Sequence, residues 1–522
     1  MEFTKNKLFD IIKYPILLLT SFVFLLVFSL WTSPLYKDWY GCDASFFTMT
    51  GRGIINGWVP YVDFFDLKGP YFFFLQAIGQ LLATARTGAF IIQIFALFFS
   101  LIFIIKLSRL FLSKKRTLFV IFIFLAGHVA TLWGGNTLEE FMLPLSLWSL
   151  FLTVSDLRKS SYSNIRWSTA LITGISFGIM LFSKITVAAP IVGIVLALIV
   201  IFIKNKNYKG LFQYLLIAFL GLIISVTPVF VYFGLHNCIS DMLYSVFIFA
   251  FKRSIDFGNV PLFNLKWELK ISGVYFAIIF SICQMLDTKQ LELDIHHIND
   301  LIHHKTADIT QYKYIKEPDT RTNLYIIVLL MGIITALCLH LGDPFIYYFT
   351  TGYPSILFAV ILLLNINNEQ LILFKSPRYD IPLVIFILSV CYFSSCTAST
   401  LNTVIYDRNS TYYSDYVAAA KEMASLIPET DRDKVYSFNI DMQWFECNQI
   451  LPCYKYQVNL QFFVALDNRI QTNIINYIRK TPPKWLVIGG DLQSYLPNIN
   501  DIVASKYDIV YANDYGSLYL LQ

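Results

Sequence analysis

The sequence predicts an all-α polytopic membrane protein of about eleven transmembrane helices, followed by a small C-terminal α/β domain. The 522 residues are 56% apolar and 14% charged, with a mean hydropathy of +0.58. A soluble fold cannot bury so much apolar surface. Apolar runs of about 18 residues or more, the length of a membrane-crossing helix, recur along roughly the first 400 residues. After about residue 402 the composition turns mixed and polar, which indicates a separate domain.

The spans follow from the hydropathy windows and from where the charges interrupt them. The N-terminal run has no small-residue cleavage site, so it is interpreted as an uncleaved first span. The predicted spans lie near residues 14–31, 87–106, 117–134, 139–155, 168–183, 185–203, 211–234, 271–287, 323–341, 349–365 and 381–398. The hydrophilic segment 288–322, which carries His296, His297, His303 and His304, is expected to be a solvated linker, with a metal site as the alternative.

The basic loops predict the orientation. By the positive-inside rule the side that carries them is cytoplasmic, which places the N-terminus inside and, after an odd number of spans, the C-terminal domain outside. The net charge of +5 is distributed over loops, and no nucleic-acid partner is expected. The cytoplasmic basic groups are the segments 106–116, 158–166 and 204–210 together with Lys5, Lys7 and Lys13.

Three outside segments are longer than a connection requires: residues 32–86 (the first loop), residues 235–270, and the C-terminal region from residue 402 onward. Loops of that length are usually functional or disordered, and their apolar periodicity argues against disorder. In the first loop, "ASFFTMTGRGIING" (44–57) predicts a short amphipathic helix. "YFFFLQAIGQLLATA" (71–85) is too short to span and predicts a helix in the membrane interface.

The C-terminal region predicts alternating helices and strands. Helices are expected at 413–428 and 471–480, and buried strands at 433–440 and 484–490. A strand, a turn and a strand are expected to close the chain. Cys447 and Cys453 are the close cysteine pair of this region. A disulfide and two free thiols both remain open for them.

The first loop carries five charged side chains beside aromatic residues: Asp43, Arg52, Asp63, Asp66 and Lys68. A charge near hydrocarbon is costly, so each must be paired, hydrated or functional. Asp43 begins the helix predicted over 44–57, where an aspartate can be an ordinary N-cap or a catalytic carboxylate.

Further polar residues are expected at the same outer face. Each has an ordinary explanation on its own: basic side chains reach toward headgroups, and tyrosines form the interfacial aromatic belt. Gathered on one face they instead predict a site for a lipid headgroup. They are Glu139 and Glu140 at the mouth of the fourth predicted span, Lys184 between two spans, Lys252 and Arg253, and Tyr347 and Tyr348.

These motifs resemble the GT-C superfamily of integral-membrane glycosyltransferases, in particular the bacterial branch related to protein O-mannosyltransferases and the aminoarabinose transferase of lipid A. The likeness covers about residues 1–400. It is carried by Asp43, "GRGIING" (51–57), "YVDFFDLKGP" (61–70), "NTLEEFMLP" (136–144) and "FSKITVAAP" (182–190). The chain departs from the family in having Ala44 in place of the second acid, and Tyr347 in place of a histidine.

The resemblance implies a sugar transfer from a polyprenyl-phosphate donor to a glycan, lipid or protein acceptor at the outer face of the bacterial cytoplasmic membrane. It implies an inverting hexosyl or pentosyl transferase in which Asp43 is the general base. Lys68, Arg52, Lys184 and Arg253 would bind the donor phosphate, Lys68 foremost. The aromatic rings of the first loop would lie in the interface and line the isoprenoid path. Positioning or acceptor binding falls to Asp63, Asp66, Glu139, Glu140, Tyr347 and Tyr348.

No cofactor is assigned from the sequence. Some relatives hold a divalent cation between an acid and a later histidine, for which Asp66 and His236 are the candidates here. The predicted domains are a transmembrane transferase domain over 1–401 and an extracytoplasmic α/β domain over 402–522.

Two other functions fit the same topology. An O-antigen ligase or polymerase also uses lipid-linked sugars but relies on arginine-rich outside loops, whereas the first loop here is led by acids. A transporter or flippase requires charges or helix breaks at mid-span and related halves, and this sequence shows charges at span ends and no internal repeat.

Overall fold

The computed structural model describes residues 2–160, 164–256, 264–303, 318–341, 345–366, 377–406, 411–490, 492, 496–497 and 499–522, without the side chains of 2–13, 254–256, 288–303 and 318–321. The helices before the C-terminal region are α1 (Glu2–Phe28), α2 (Cys42–Ile55), α3 (Pro70–Leu82), α4 (Arg86–Ser108), α5 (Lys114–Thr131), α6 (Leu138–Lys159), α7 (Trp167–Leu181), α8 (Ala189–Lys204), α9 (Tyr208–Leu235), α10 (Ile239–Leu243), α11 (Ala250–Asp256), α12 (Leu265–His303), α13 (Pro318–His340), α14 (Tyr353–Leu364) and α15 (Asp380–Tyr406).

A helix occupies each of the predicted spans. Within the described ranges, 8 helices are long and apolar enough to cross a membrane. The apolar parts of α1 (Tyr14–Phe28) and α7 (Trp167–Leu181) are shorter. Helix α5 has 18 residues and opens with three basic ones, Lys114, Lys115 and Arg116. The prediction of an all-α multi-pass membrane protein is confirmed.

The segment predicted as a solvated linker after the eighth span is helical in its first part. Helix α12 does not stop near residue 287 but continues to His303. A helix can extend beyond the bilayer because its backbone N–H and C=O groups bond to each other, independently of what its side chains contact. His304 and the side chains of the other three histidines lie outside the described residues, so the metal-site alternative stays untested there. The orientation of the chain also stays a prediction.

Both short helices predicted in the first loop are present, as α2 and α3, and they pack closely on each other. A Cβ atom on Gly51 would lie 2.7 Å from the backbone of Gln76, so this position requires glycine for the close approach of the two helices. On the outer side of α3, Ile78, Leu81 and Leu82 are exposed. Their spacing gives α3 one apolar face suited to lipid contact.

The C-terminal region contains a four-stranded sheet with strand order β1-β2-β4-β3. Strand β1 pairs in parallel with β2, and β4 is antiparallel to both β2 and β3. The predicted helices and strands of this region are confirmed. Three short helices were not predicted, because segments of seven or eight residues show too little periodicity. The elements are α16 (Tyr412–Ser425), β1 (Val435–Phe438), α17 (Met442–Asn448), α18 (Leu460–Leu466), α19 (Asn468–Lys480), β2 (Trp485–Ile488), α20 (Ile499–Lys506), β3 (Tyr507–Asn513) and β4 (Gly516–Leu521).

The two cysteines whose state was left open are free thiols. Cys447 Sγ contacts the backbone oxygen of Trp444 at 3.4 Å, whereas Cys453 Sγ lies 3.4 Å from the hydroxyl of Tyr477. The proposed domain boundary near residue 402 stays a prediction.

An aromatic core joins the first loop to the C-terminal region. The ring of Phe65 packs edge-on against Phe249 and Phe463, with centroids 5.1 and 5.3 Å away. Its backbone N–H donates to the oxygen of Lys455 at 2.9 Å. The expectation that the rings of this loop lie in the membrane interface is wrong for most of them, because they fill the protein core instead. The fully buried rings of the loop are Phe46, Phe47, Tyr61, Phe64, Phe65, Phe72 and Phe73.

A buried ion pair reinforces this contact. Arg52 Nη1 on α2 donates to Glu446 Oε2 on α17 at 2.8 Å, and the side chains are 12% and 0% exposed. The same guanidinium donates to Gln449 Oε1 at 2.8 Å and to the backbone oxygen of Ile450 at 3.3 Å. Burial raises the pKa of Glu446, and the positive charge of Arg52 opposes that rise. The pair therefore ties α2 to the C-terminal region.

We expect Arg52→Ala to destabilise this contact by about 3–5 kcal/mol, because the partner carboxylate is left buried without its counter-charge. The thermal unfolding temperature should fall, and the amide exchange rate across α17 should rise.

Adding Glu446→Gln to Arg52→Ala should recover part of the loss, since the unpaired charge is then gone. The matched control is Arg166→Ala, which breaks an ion pair to Asp156 in another part of the fold and should leave the exchange of α17 unchanged. Unaltered exchange in Arg52→Ala would show that the pair does not hold α17 in place.

Candidate active site

A tight turn in the first loop holds Lys68. The Lys68 backbone N–H donates to Asp66 Oδ1 at 2.7 Å, and the Lys68 ammonium lies 3.5 Å from the same oxygen. The hydroxyl of Tyr61 donates to the Lys68 backbone oxygen at 2.8 Å. The ammonium also sits over the ring of Phe47, 4.5 Å from its centroid. Asp66 therefore orients the lysine.

The next residue locks this turn against the end of α7. The Gly69 N–H donates to the Ser183 backbone oxygen at 2.6 Å. A Cβ atom on Gly69 would lie only 2.0 Å from the Phe182 oxygen, so only glycine fits. Because Lys184 follows directly, the contact brings the lysines of two sequence motifs to the same corner of the fold.

Lys184 is held between an acid and an aromatic ring. Its ammonium donates to Glu139 Oε1 at 2.7 Å and lies 3.3 Å from the centroid of the Tyr348 ring. Glu139 is buried at the start of α6. Tyr348 and Tyr347 stand on the 3₁₀ turn before α14, with ring centroids 4.6 Å apart. The structure thus assembles these four predicted residues into one cluster.

Glu140 is directed elsewhere, although it is adjacent to Glu139. Its carboxylate accepts the backbone N–H of Thr137 in a capping box and the side-chain N–H of Gln93 at 3.1 Å. The latter glutamine in turn accepts a hydrogen bond from Thr32 Oγ1. The Glu140 carboxylate therefore stabilises the start of α6 and the contact of α6 with α4. This placement corrects the expectation that it binds an acceptor.

Asp43 lies at the N-terminal end of α2 but does not cap it. The N-cap is Gly41, whose neighbour Cys42 begins the helix, so the capping explanation for Asp43 is wrong. Among the described residues, the carboxylate has no hydrogen-bond or ion-pair partner. It is half-buried and lies within electrostatic range of Lys68 and of Tyr347. A helix N-terminus favours the ionised form of a carboxylate.

The surroundings of Lys68 keep it charged. Burial by itself lowers the pKa of Lys68, and the nearby Arg253 acts in the same direction. The nearby Asp66, Asp43 and Tyr348 outweigh both, so the pKa of this ammonium group is raised above its ordinary value of 10.5. A cation that stays charged at neutral pH is what an anionic ligand requires.

Two of the predicted phosphate ligands are placed differently. The positive charge of Arg253 acts to lower the pKa of Lys68, so Arg253 lies within electrostatic range of the cluster. Its guanidinium lies 4.8 Å from the centroid of the Phe462 ring. Arg52 is directed into the C-terminal region by its pair with Glu446, so its predicted phosphate role stays without a geometric basis.

The two residues considered as metal ligands, Asp66 and His236, make different contacts. Asp66 is engaged by Lys68, whereas His236 is exposed beyond α9 and packs on Tyr232 with ring centroids 4.6 Å apart. Within the part of the chain that the structure describes, no group of three His, Cys, Asp or Glu side chains is arranged to hold a metal ion. Asp63 turns back on its own loop, where Oδ2 accepts the Val59 N–H at 2.6 Å.

One residue that positions the site was missed from the sequence. Asn136 Nδ2 donates to the Ala44 oxygen at 3.2 Å, and its Oδ1 accepts from Gln76 at 2.8 Å. It therefore fixes the start of α6, which carries Glu139, against α2 and α3. The sequence feature that could have indicated this role is the Gly-Gly-Asn turn at 134–136, in which Asn136 has φ of 61°.

The comparisons with known proteins bear on the fold. No protein-family model and no curated protein matches the chain. Among solved structures, it is similar to ArnT from Cupriavidus metallidurans bound to undecaprenyl phosphate, with a TM-score of 0.52, 11% identity, and 98% of this chain and 97% of that chain covered. The apo state of ArnT gives a TM-score of 0.51 at 12% identity and covers 98% of both chains.

A third similar structure is the archaeal oligosaccharyltransferase AglB from Archaeoglobus fulgidus, in complex with an inhibitory peptide and a dolichol-phosphate. Its TM-score is 0.49 at 12% identity, and 92% of this chain and 70% of that chain are covered. The likeness to ArnT extends over nearly the whole chain, including the C-terminal region. The chain therefore shares its fold with ArnT, as the sequence motifs predicted.

The different surroundings of Glu139 and Glu140 give a test. We expect Glu140→Ala to destabilise the protein by about 1–3 kcal/mol, because a buried N–H donor loses its acceptor. Glu140→Gln should retain most of the stability, since a glutamine oxygen can accept the same bonds. Thermal unfolding of the purified protein is the measurement.

Glu139→Gln is the neighbouring comparison. It removes the charge opposite Lys184 and should alter ligand binding more than the fold. Equal destabilisation by Glu140→Gln and Glu140→Ala would contradict the capping role.

Proposed function

We propose that this protein is a glycosyltransferase that moves a sugar from a polyprenyl-phosphate donor to an acceptor at the outer face of the cytoplasmic membrane. The observation that carries the proposal is a carboxylate without a partner among the described residues, Asp43, whose charge acts on Lys68 as that of Arg253 also does. The GT-C fold and the similarity to an undecaprenyl-phosphate-bound structure support this donor class.

The charges fit the separation of roles that such a transfer requires. In the proposed step, the acceptor hydroxyl attacks the anomeric carbon, and its proton passes to the carboxylate of Asp43. The bond between that carbon and the phosphate oxygen breaks as the new glycosidic bond forms. The leaving phosphate takes the electron pair, and fixed cations stabilise its negative charge. Attack from the side opposite the phosphate inverts the anomeric configuration.

Lys68 is the proposed principal phosphate ligand. It lies on a turn that is fixed at both ends, by Asp66 and by the contact of Gly69 with α7. A cation held in place in this way needs little reorganisation when the leaving charge develops. Lys184 adds a second cation at the same corner, oriented by Glu139 and Tyr348.

The direct experiment supplies purified full-length protein with radiolabelled undecaprenyl-phosphate hexoses and pentoses in lipid nanodiscs. Sugar transfer with release of free undecaprenyl phosphate is expected when bacterial envelope extracts provide the acceptor. Movement of the lipid-linked sugar across a sealed bilayer without any sugar transfer would instead indicate a transporter. Use of the diphosphate-linked glycan alone would indicate a ligase or polymerase.

We expect Asp43→Asn to lower kcat by about 100-fold to 10,000-fold, because general base catalysis contributes that much. Donor binding and the unfolding temperature should remain near those of the unaltered protein. Asp38→Asn is the matched control, since Asp38 is a half-buried aspartate in the same loop, outside the site. Turnover of Asp43→Asn within a few-fold of normal would exclude this base.

We expect Lys68→Ala to weaken binding of undecaprenyl phosphate roughly tenfold to hundredfold, the effect of losing one contact to a charged group. Titration in nanodiscs with the unlabelled lipid gives the affinity. Lys37→Ala is the control, because Lys37 is an exposed lysine of the same loop. Should the lysine variant change only the KM for the acceptor, the assignment of the phosphate site is wrong.

A further inference from the structure

A cavity of about 550 Å³ lies between α2 and the C-terminal region. This volume falls in the range of roughly 300–1,000 Å³ typical of small-molecule sites. Cys42 forms its wall on the α2 side, and two loops and α18 form the opposite wall. The residues of that opposite wall are Asn439, Ile440, Asp441, Gln457, Val458, Asn459, Leu460, Gln461, Phe462 and Ala465.

The polar part of the wall consists of carboxamides. Asn439, Gln457, Asn459 and Gln461 line it with carboxamides, a side-chain group that contains both donor and acceptor atoms. Among the described lining residues, Asp441 is the one charged side chain, and it is an acid. Such a wall matches a ligand that carries many neutral hydroxyl groups. It disfavours an anionic ligand, because no cation of the described wall would offset the repulsion from Asp441.

One of these carboxamides has an unused acceptor. The side chain of Gln457 is 3% exposed, and its Nε2 donates to the Asp63 backbone oxygen at 3.2 Å. Its Oε1 is buried and, among the described residues, lacks a hydrogen-bond partner. A buried polar oxygen without a partner is costly unless a ligand supplies the donor.

Two of the same residues have a left-handed backbone conformation. Asn439 and Asn459 both have φ of 53°, in a region that asparagine adopts more readily than most residues. Asn459 also precedes α18 as its N-cap without using its side chain as a cap.

Two wall residues lie next to groups of the proposed catalytic cluster. Cys42 precedes Asp43 in the chain; burial raises the pKa of the Cys42 thiol, with Asp441 and Asp43 adding to the rise. On the other side, the ring of Phe462 contacts the guanidinium of Arg253. A ligand in the cavity therefore has a neighbour of the proposed base on one side and a neighbour of a proposed phosphate ligand on the other.

From this geometry we propose that the cavity binds the acceptor and that the acceptor is an uncharged glycan. The inference rests on the proposed function, because it assigns the second substrate of the same site. The carboxamides bind hydroxyl groups, the ring of Phe462 offers an apolar surface to the carbon face of a sugar, and one hydroxyl is presented to Asp43.

The test measures binding of fluorescent probes to the full-length protein in lipid nanodiscs. The probes are uncharged hexose and N-acetylhexosamine trisaccharides, the corresponding phosphorylated and uronic-acid trisaccharides, and serine- and threonine-containing peptides. At least one uncharged trisaccharide should bind, at least tenfold more tightly than its anionic counterpart. Preferred binding of the peptides or the anionic sugars, or no binding of any uncharged probe, overturns the proposal.

Two variants locate the binding. Gln461→Ala and Asn459→Gly should each weaken the uncharged glycan roughly threefold to tenfold, the effect of one neutral hydrogen bond. Glycine adopts a φ of 53° readily, so the second variant preserves the backbone. Gln522→Ala is the matched control, an exposed glutamine outside the cavity. Unchanged glycan binding in both cavity variants places the site elsewhere and overturns the proposal.

Binding of undecaprenyl phosphate, measured on the same preparations, separates this inference from the proposed function. The cavity variants should bind the lipid normally, and Lys68→Ala should lose lipid affinity while it retains glycan binding. Failure of the glycan assay with intact lipid binding rejects the acceptor assignment alone. Failure to bind the lipid rejects the proposed function itself.

Discussion

Burial of charged side chains within an aromatic core is the constraint on which the rest of this structure depends. The first loop lies between the membrane helices and the C-terminal sheet, so Lys68 and Arg52 are removed from water and each must meet an acid. Each does so in a different part of the fold: Lys68 with Asp66, and Arg52 with Glu446. Lys184, just after α7, follows the same rule with Glu139. These pairs fix the loop in one arrangement, whereas Asp43 has no ion-pair partner among the described residues.

The same constraint gives the C-terminal region its part in the site. It supplies Glu446 for the first loop, accepts Phe65 into its core, and forms most of the cavity wall opposite Cys42. The C-terminal region is therefore not an appendage here. Under the proposed function, acceptor choice is expected to depend on its sequence, because it forms most of the cavity wall.

Much of the fold was predictable from the sequence, for a local reason. A span is recognised from its own composition, and the strands of Val435–Phe438 and Trp485–Ile488 from short apolar runs. The motif residues Lys68 and Lys184 were likewise found. What failed depended on contacts distant in sequence. The ring of Phe65 was expected in the membrane interface but packs against Phe463 of the C-terminal region. Glu140 was expected to bind an acceptor but accepts a hydrogen bond from Gln93 on another helix.

By itself, the sequence determined the fold class, the positions of the membrane helices, and the set of charged residues predicted to gather at one face. Hydropathy and short motifs carry that information because they act over a few residues. Only the tertiary structure decided which charges neutralise one another and which remain for chemistry. Arg52 and Lys68 are alike as cations in one loop, yet the first is paired with Glu446 beneath the C-terminal region and the second lies beside Asp43. The difference is set by packing between segments nearly four hundred residues apart, which no local pattern records.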